Sequence, residues 1–257
     1  MDEQRSTPGT WSGTGTTGGP QDPGAAAPDA LLEELVGLAA YTELATFGLL
    51  ASRSVDAVDL ATRQTLAEAA AGSLERQGRL LGLVAADGRS AATVMTPFAG
   101  AFADFDARTS PGSWSEGLLK GVVGHGVAQD LCRELAAGLS GAGPGAFARA
   151  YDEPAPGGWA TTLLADAAAG DSVLASRLAL WGRRVVGEAL GLVQTVLGEH
   201  PRLARLAARA RAAGTGDAAA APGTTTEPGQ DADVLAWLLQ RLTAEHTRRM
   251  DRLGLAA

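Results

Sequence analysis

The chain has 257 residues, of which 46% are hydrophobic, 19% charged and 5% aromatic, and its formal net charge is −8. The scarcity of aromatic residues and the abundance of alanine favour closely packed helices over a β-sandwich, and the acidic balance opposes general nucleic-acid binding. The single cysteine, Cys132, excludes an internal disulfide framework and a multi-cysteine metal site.

Helical periodicity dominates the chain between two segments of low complexity. Residues 1–28 and 213–230 are rich in Gly, Thr and Pro, and we predict a disordered tail and a flexible linker there. Apolar residues recur at helical spacing over 29–52, 57–86, 97–108, 113–139, 145–169, 171–199, a stretch that starts at 201, and 231–253. The predicted fold is therefore all-α, with a four-helix bundle inside 29–212 and a C-terminal helix in 231–257 that packs on it.

The N-terminus has no basic segment followed by an apolar one, so no signal peptide is predicted. No charge-free apolar run reaches the roughly 18 residues that a membrane span needs. These two features predict a cytoplasmic protein that does not contact a membrane.

Two carboxylates lie on the apolar stripes of predicted helices. Glu43 stands between Ala40 and Phe47, and Glu188 follows Val185 on a later helix. An ionised carboxylate inside a bundle costs several kcal/mol unless it is paired or bound to a metal. Both glutamates are therefore candidate site residues, and a solvated edge position is the alternative for each.

Asp130 and Glu134, one helical turn apart, are either two further inward carboxylates or part of a polar rim. Inward carboxylates from several helices are typical of di-iron and di-manganese centres, which also need histidines in two Glu-x-x-His pairs. The histidines of this chain are His125, His200 and His246. None of them stands three residues after a glutamate, so the chain contains no such pair.

Four segments carry a resemblance to a known family. YTEL at 41–44 and RLALWGRRVVGEAL at 177–190 are two of them, and the others lie at 117–135 and 241–255. Together they resemble the actinobacterial ferritin-like proteins related to the MiaE-type tRNA 2-methylthio-N6-isopentenyladenosine hydroxylases. The resemblance covers about residues 30–212 and the C-terminal helix. It implies a ferritin-like bundle and, for complete members, a di-iron hydroxylase.

The metal ligands of the family are only partly present at the matching positions. Glu43 and Glu188 match glutamates of the family, and either Asp130 or Glu134 matches a third carboxylate. One Glu-x-x-His pair of the family falls on Ser73 and Arg76, where both ligands are missing. The other pair falls on Glu153 and Pro156, where the histidine is missing and Pro154 and Pro156 break the helix. The resemblance thus implies a vestigial metal site.

Arg76 stands where the family has a histidine, on the side of its helix that faces the bundle. A guanidinium is permanently charged and suits bidentate contacts with carboxylates. We therefore predict that Arg76 replaces the metal and neutralises Glu43, Glu153 or Glu188. The alternative is that Arg76 extends along the core and ends in water.

Three functions are compatible with these features. The favoured interpretation is a non-catalytic binding or scaffold protein without a cofactor, whose partner is another protein or a small molecule. A bundle that binds a small molecule in the former metal cavity is a related hypothesis. The alternative from another class is a di-iron or other metal-dependent hydroxylase that acts on tRNA or another substrate.

Overall fold

The structure, a computed structural model, describes residues 28–85, 89–151, 157–215 and 228–256, and every regular element in these ranges is helical. The all-α class predicted from the sequence is confirmed. The α-helices are α1 (Pro28–Val55), α2 (Leu60–Gly82), α3 (Ala91–Met95), α4 (Ala99–Arg108), α5 (Trp114–Lys120), α6 (Gly126–Ala136), α7 (Gly143–Tyr151), α8 (Gly157–Gly170), α9 (Ser172–Glu199), α10 (Pro201–Thr215) and α11 (Pro228–Arg252).

Four long helical stretches form the bundle. Helices α1 and α2 pack along much of their length, and α9 packs against the stretch made of α5 and α6. A π-helical segment, Gly121–His125, joins α5 to α6, so the backbone stays helical from 114 to 136. Each stretch contributes fully buried residues to one core, among them Leu35, Leu66, Leu119 and Val185.

Side-chain caps explain where several helices begin. Asp59 accepts a hydrogen bond from the Thr62 backbone N–H, which starts α2. Asp171 accepts bonds from two backbone N–H groups of the first turn of α9. Such caps satisfy amide groups that have no partner inside the helix. Helix α3, capped by Ser90, is too short to give a periodic pattern and was not predicted.

The last helix, α11, packs on α6, α9 and α10. Part of the predicted linker is helical, because α10 extends to Thr215 and α11 begins at Pro228. The remainder, 216–227, and the predicted tail, 1–27, lie outside the described residues. The predicted helix over 145–169 corresponds to α7 and α8, and the predicted break between them, with Glu153 and Pro156, also lies outside the described residues.

Helix α1 is the one helix in the described ranges that is long and apolar enough to cross a membrane, over Ala30–Val55. Half of its most apolar 18-residue stretch is buried inside the structure, and the helix supplies Leu35, Val36 and Ala39 to the core. A central core helix has the same length and composition as a membrane span, so this feature is weak evidence for one.

Candidate functional site

A buried ion pair joins the first two helices at the centre of the bundle. Glu43 of α1 has no exposed surface, and Arg76 of α2 is 6% exposed. The Arg76 Nη2 atom lies 2.8 Å from Glu43 Oε2, and Arg76 Nε donates a hydrogen bond of 3.0 Å to the same oxygen. The predicted contact between Arg76 and Glu43 is therefore present, and Arg76 does not end in water.

Two neighbouring side chains complete the hydrogen bonding of this pair. Ser73 lies one turn before Arg76 on α2, and its hydroxyl accepts a 3.1 Å bond from Arg76 Nη2. Gln129 of α6 donates a 3.0 Å bond to Glu43 Oε1 through its Nε2 atom. Both carboxylate oxygens of Glu43 thus have partners, as a buried charge requires. The sequence analysis did not identify Gln129, because a single glutamine gives no pattern.

Glu188 does not point into the bundle, and that prediction is wrong. Its side chain is 33% exposed, and its Oε2 atom pairs with Arg108 Nε of α4 at 3.0 Å. The buried stripe of α9 passes instead through Val185, Ala189 and Leu192. Glu188 lies on the flank of that stripe, so the edge alternative describes it and it contributes no charge to the Glu43–Arg76 pair.

We expect Glu188→Gln to change the free energy of unfolding by less than about 1 kcal/mol, the usual range for an exposed ion pair. Reversible denaturation with urea measures the change. A loss of about 3 kcal/mol or more, which is typical of a broken buried pair, would contradict the peripheral position of Glu188.

Asp130 and Glu134 form ion pairs with the C-terminal helix. Asp130 Oδ2 lies 2.6 Å from Arg249 Nη2, and Glu134 Oε1 lies 2.8 Å from Arg241 Nη2. Both carboxylates are partly buried, so they correspond to the polar-rim alternative rather than to inward ligands. Their role in this structure is to help attach α11 to α6.

The residues around Glu43 do not fit a di-iron centre. Such a centre needs several carboxylates and imidazoles as electron-pair donors. The hydrogen-bond partners of Glu43 are a guanidinium and an amide N–H group. Both are hydrogen-bond donors, so neither can ligate a cation, and the charged guanidinium repels one. Within the described residues, no three His, Cys, Asp or Glu side chains come close enough to hold a metal ion.

A cavity of about 550 Å³ borders the ion pair. Its polar lining includes Thr46, Gln129 and three arginines, Arg76, Arg249 and Arg252, and its apolar lining includes Leu50, Leu118 and Val122 from helices α1, α5 and the π-helical segment. No acidic residue lines it among the residues that the structure describes. The volume lies within the range of sites that bind small molecules.

A second cavity, of about 330 Å³, is lined in part by residues of α1 and by His125, which contacts Thr46. His125 and the ion pair of Lys120 with Asp106, 2.6 Å long, line it. The Thr46 hydroxyl donates to the Thr42 carbonyl, so the 3.0 Å bond from His125 Nδ1 to Thr46 Oγ1 is donated by the histidine. Burial, together with the Lys120 charge and against the Asp106 charge, lowers the pKa of His125 to about 4. The ring is neutral at pH 7.

The fold and the site together define an all-α, ferritin-like bundle whose interior holds a glutamate–arginine pair. A family model described as "Ferritin-like domain, actinomycetes" matches residues 28–210, which include all of α1 to α9 and most of α10. The chain belongs to this ferritin-like family. No curated protein matches the chain.

Proposed function

We propose that this ferritin-like protein works without iron, as a non-catalytic binding protein of the cytoplasm. The observation that supports the proposal is the buried contact between Arg76 and Glu43, 2.8 Å long. In the MiaE-type hydroxylases that the sequence resembles, these two positions hold metal ligands. In this chain the Arg76 guanidinium balances the charge of the Glu43 carboxylate, so no metal ion is needed to do so.

The physical argument rests on charge and on donor type. Iron bound at Glu43 would have to displace a guanidinium that already satisfies the carboxylate, and the displaced cation would remain beside the metal. Ser73, at the position of a family glutamate, offers a neutral hydroxyl that already accepts a bond from Arg76. The adjacent cavity then serves to bind a ligand rather than to hold a reaction centre.

The test is anaerobic loading with Fe(II), removal of free metal, and elemental analysis. We expect far less than one iron per chain. The double variant Ser73→Glu/Arg76→His restores a Glu-x-x-His pair beside Glu43, and these ligands suit iron. A gain of iron in this variant shows that the loading works and that Arg76 is the obstacle.

Roughly two irons per chain in the unmodified protein, the number held by a complete carboxylate-bridged centre, would contradict the proposal. That result would favour a metal-dependent hydroxylase that acts on tRNA or another substrate.

A further inference from the structure

Among the described residues, every charged side chain that lines the larger cavity is an arginine. Arg76 of α2 lies at its buried end, and Arg249 and Arg252 reach it from α11. Two carboxylates partly offset this charge from behind the wall, Glu43 beside Arg76 and Asp130 beside Arg249. Arg252 has no ion pair within the described residues, so these five groups leave an excess of one positive charge at the cavity.

One hydrogen-bond donor at the cavity wall lacks an acceptor. Arg249 uses Nη2 for Asp130, while its buried Nη1 atom has no hydrogen-bond partner among the described residues. An unsatisfied buried donor costs free energy in the folded state. An acceptor that entered the cavity beside Arg249 would recover part of that cost after a small rotation of the guanidinium.

The remaining walls are apolar or weakly polar. Leu50, Ala69, Leu118 and Val122 provide a surface for a hydrocarbon body, and Gln129 offers a polar amide beside Arg76. A cavity that combines an apolar wall with a few convergent polar groups fixes the orientation of a small molecule as well as holding it.

We propose that this cavity binds a small organic carboxylate with an apolar body, held by Arg249 and Arg252. A carboxylate carries one negative charge, which balances the one excess positive charge at the cavity. Its planar geometry also matches that of a guanidinium. This inference rests on the proposed function, because it needs a cavity without metal.

Isothermal titration of the full chain with two probes of equal shape tests the proposal. The probes are 2-naphthoate and its uncharged amide, 2-naphthamide. Hydrogen bonds to charged groups contribute about 1.5–3 kcal/mol, so we expect the carboxylate to bind roughly 10- to 100-fold more tightly than the amide. Equal affinities, tighter binding of the amide, or no binding of either probe at millimolar concentration would overturn the proposal.

Variants of α11 show which arginines cause the preference for 2-naphthoate over 2-naphthamide. Arg252→Gln changes an exposed side chain at the cavity, so the fold should persist while the preference for naphthoate falls at least several-fold. Asp130→Asn/Arg249→Gln removes both members of the second pair without stranding either charge, and we expect it to reduce the preference further. The matched control is Arg248→Gln, which makes the same change of charge on the same helix at an exposed residue paired with Glu245.

An unchanged preference in both cavity variants, or an equal loss in the Arg248→Gln control, would also overturn the proposal. Elemental analysis of the titrated samples distinguishes a failure of the proposed iron-free function from a failure of the proposed carboxylate ligand. Roughly two irons per chain in the sample contradict the proposed function, whereas a chain with far less than one iron and without the preference contradicts only the carboxylate ligand.

Discussion

Replacing Arg76 by alanine is expected to lower the free energy of unfolding by about 3–5 kcal/mol, because it leaves a buried charge without its counter-ion. Glu43 is fully buried, and among the described residues it would keep only the Gln129 amide as a hydrogen-bond partner. Urea denaturation of the variant and the unmodified protein, followed by circular dichroism, measures the loss. A change within about 0.5 kcal/mol, typical of a surface substitution, would contradict the role of Arg76.

A second variant separates the lost charge pair from lost packing. In Glu43→Gln/Arg76→Met both charges disappear, while the glutamine oxygen still accepts from Gln129 and the methionine fills much of the space. Replacing a whole buried pair by such groups is often neutral, so most of the loss should be recovered. Arg108→Ala is the control, because its partner Glu188 is partly exposed and the expected change is below about 1 kcal/mol.

Acidification below pH 6.5 is expected to begin destabilising the fold before most carboxylates are protonated, and the loss continues to about pH 4. Burial lowers the pKa of His125 and of His246 to about 4, and Arg249 contributes to the shift of His246. The unfolded chain binds protons on these rings near pH 6.5, whereas the folded chain does not. The contribution of these neutral rings to stability is therefore complete above about pH 6.5 and falls as the pH approaches 4, by on the order of 3 kcal/mol for the fully enclosed His125 and by less for His246.

His246 offers the cleaner test of this pH dependence. Both of its ring nitrogens are buried and lack hydrogen-bond partners among the described residues, so an apolar side chain fits the same environment. We expect His246→Met to be as stable as the unmodified protein or more stable at pH 7.5, and to lose less stability at pH 4.5. Urea denaturation at several pH values measures both quantities. An identical loss in the two proteins would show that His246 does not contribute.

The helical architecture could be predicted because its signals are local. Asp171 caps α9 as its position indicates, and the periodic stretches return as helices whose ends differ by a few residues. The π-helical segment Gly121–His125 could not be predicted, because five residues, about one wide turn, are too few to give a periodic pattern of their own. Helix α3 was missed because its five residues complete hardly more than one turn.

The candidate site was predictable where two residues oppose each other on neighbouring helices. Glu43 and Arg76 lie on α1 and α2, which are consecutive in the chain and pack closely, so their stripes had to meet. The position of Glu188 was predicted wrongly because the apolar stripe of a helix is wide. A residue at the edge of the stripe has nearly the same sequence spacing as one at its centre.

The arginines of α11 could not have been assigned to the cavity. Arg249 and Arg252 reach it only through the docking of α11, which is distant in sequence from α6. Nothing in a helix with several arginines indicates which of them faces a cavity and which, like Arg248, faces solvent.

The most direct test of the central claim is to see what lies beside Glu43 in crystals grown anaerobically with Fe(II). Diffraction data collected at the iron absorption edge locate any bound iron by its anomalous signal. We predict that the Arg76 guanidinium stays within hydrogen-bond distance of Glu43 and that no anomalous peak lies at coordination distance, about 2.0–2.2 Å, from its oxygens. An anomalous peak bound to Glu43, with Arg76 turned away from it, would contradict the claim that an arginine takes the place of the metal.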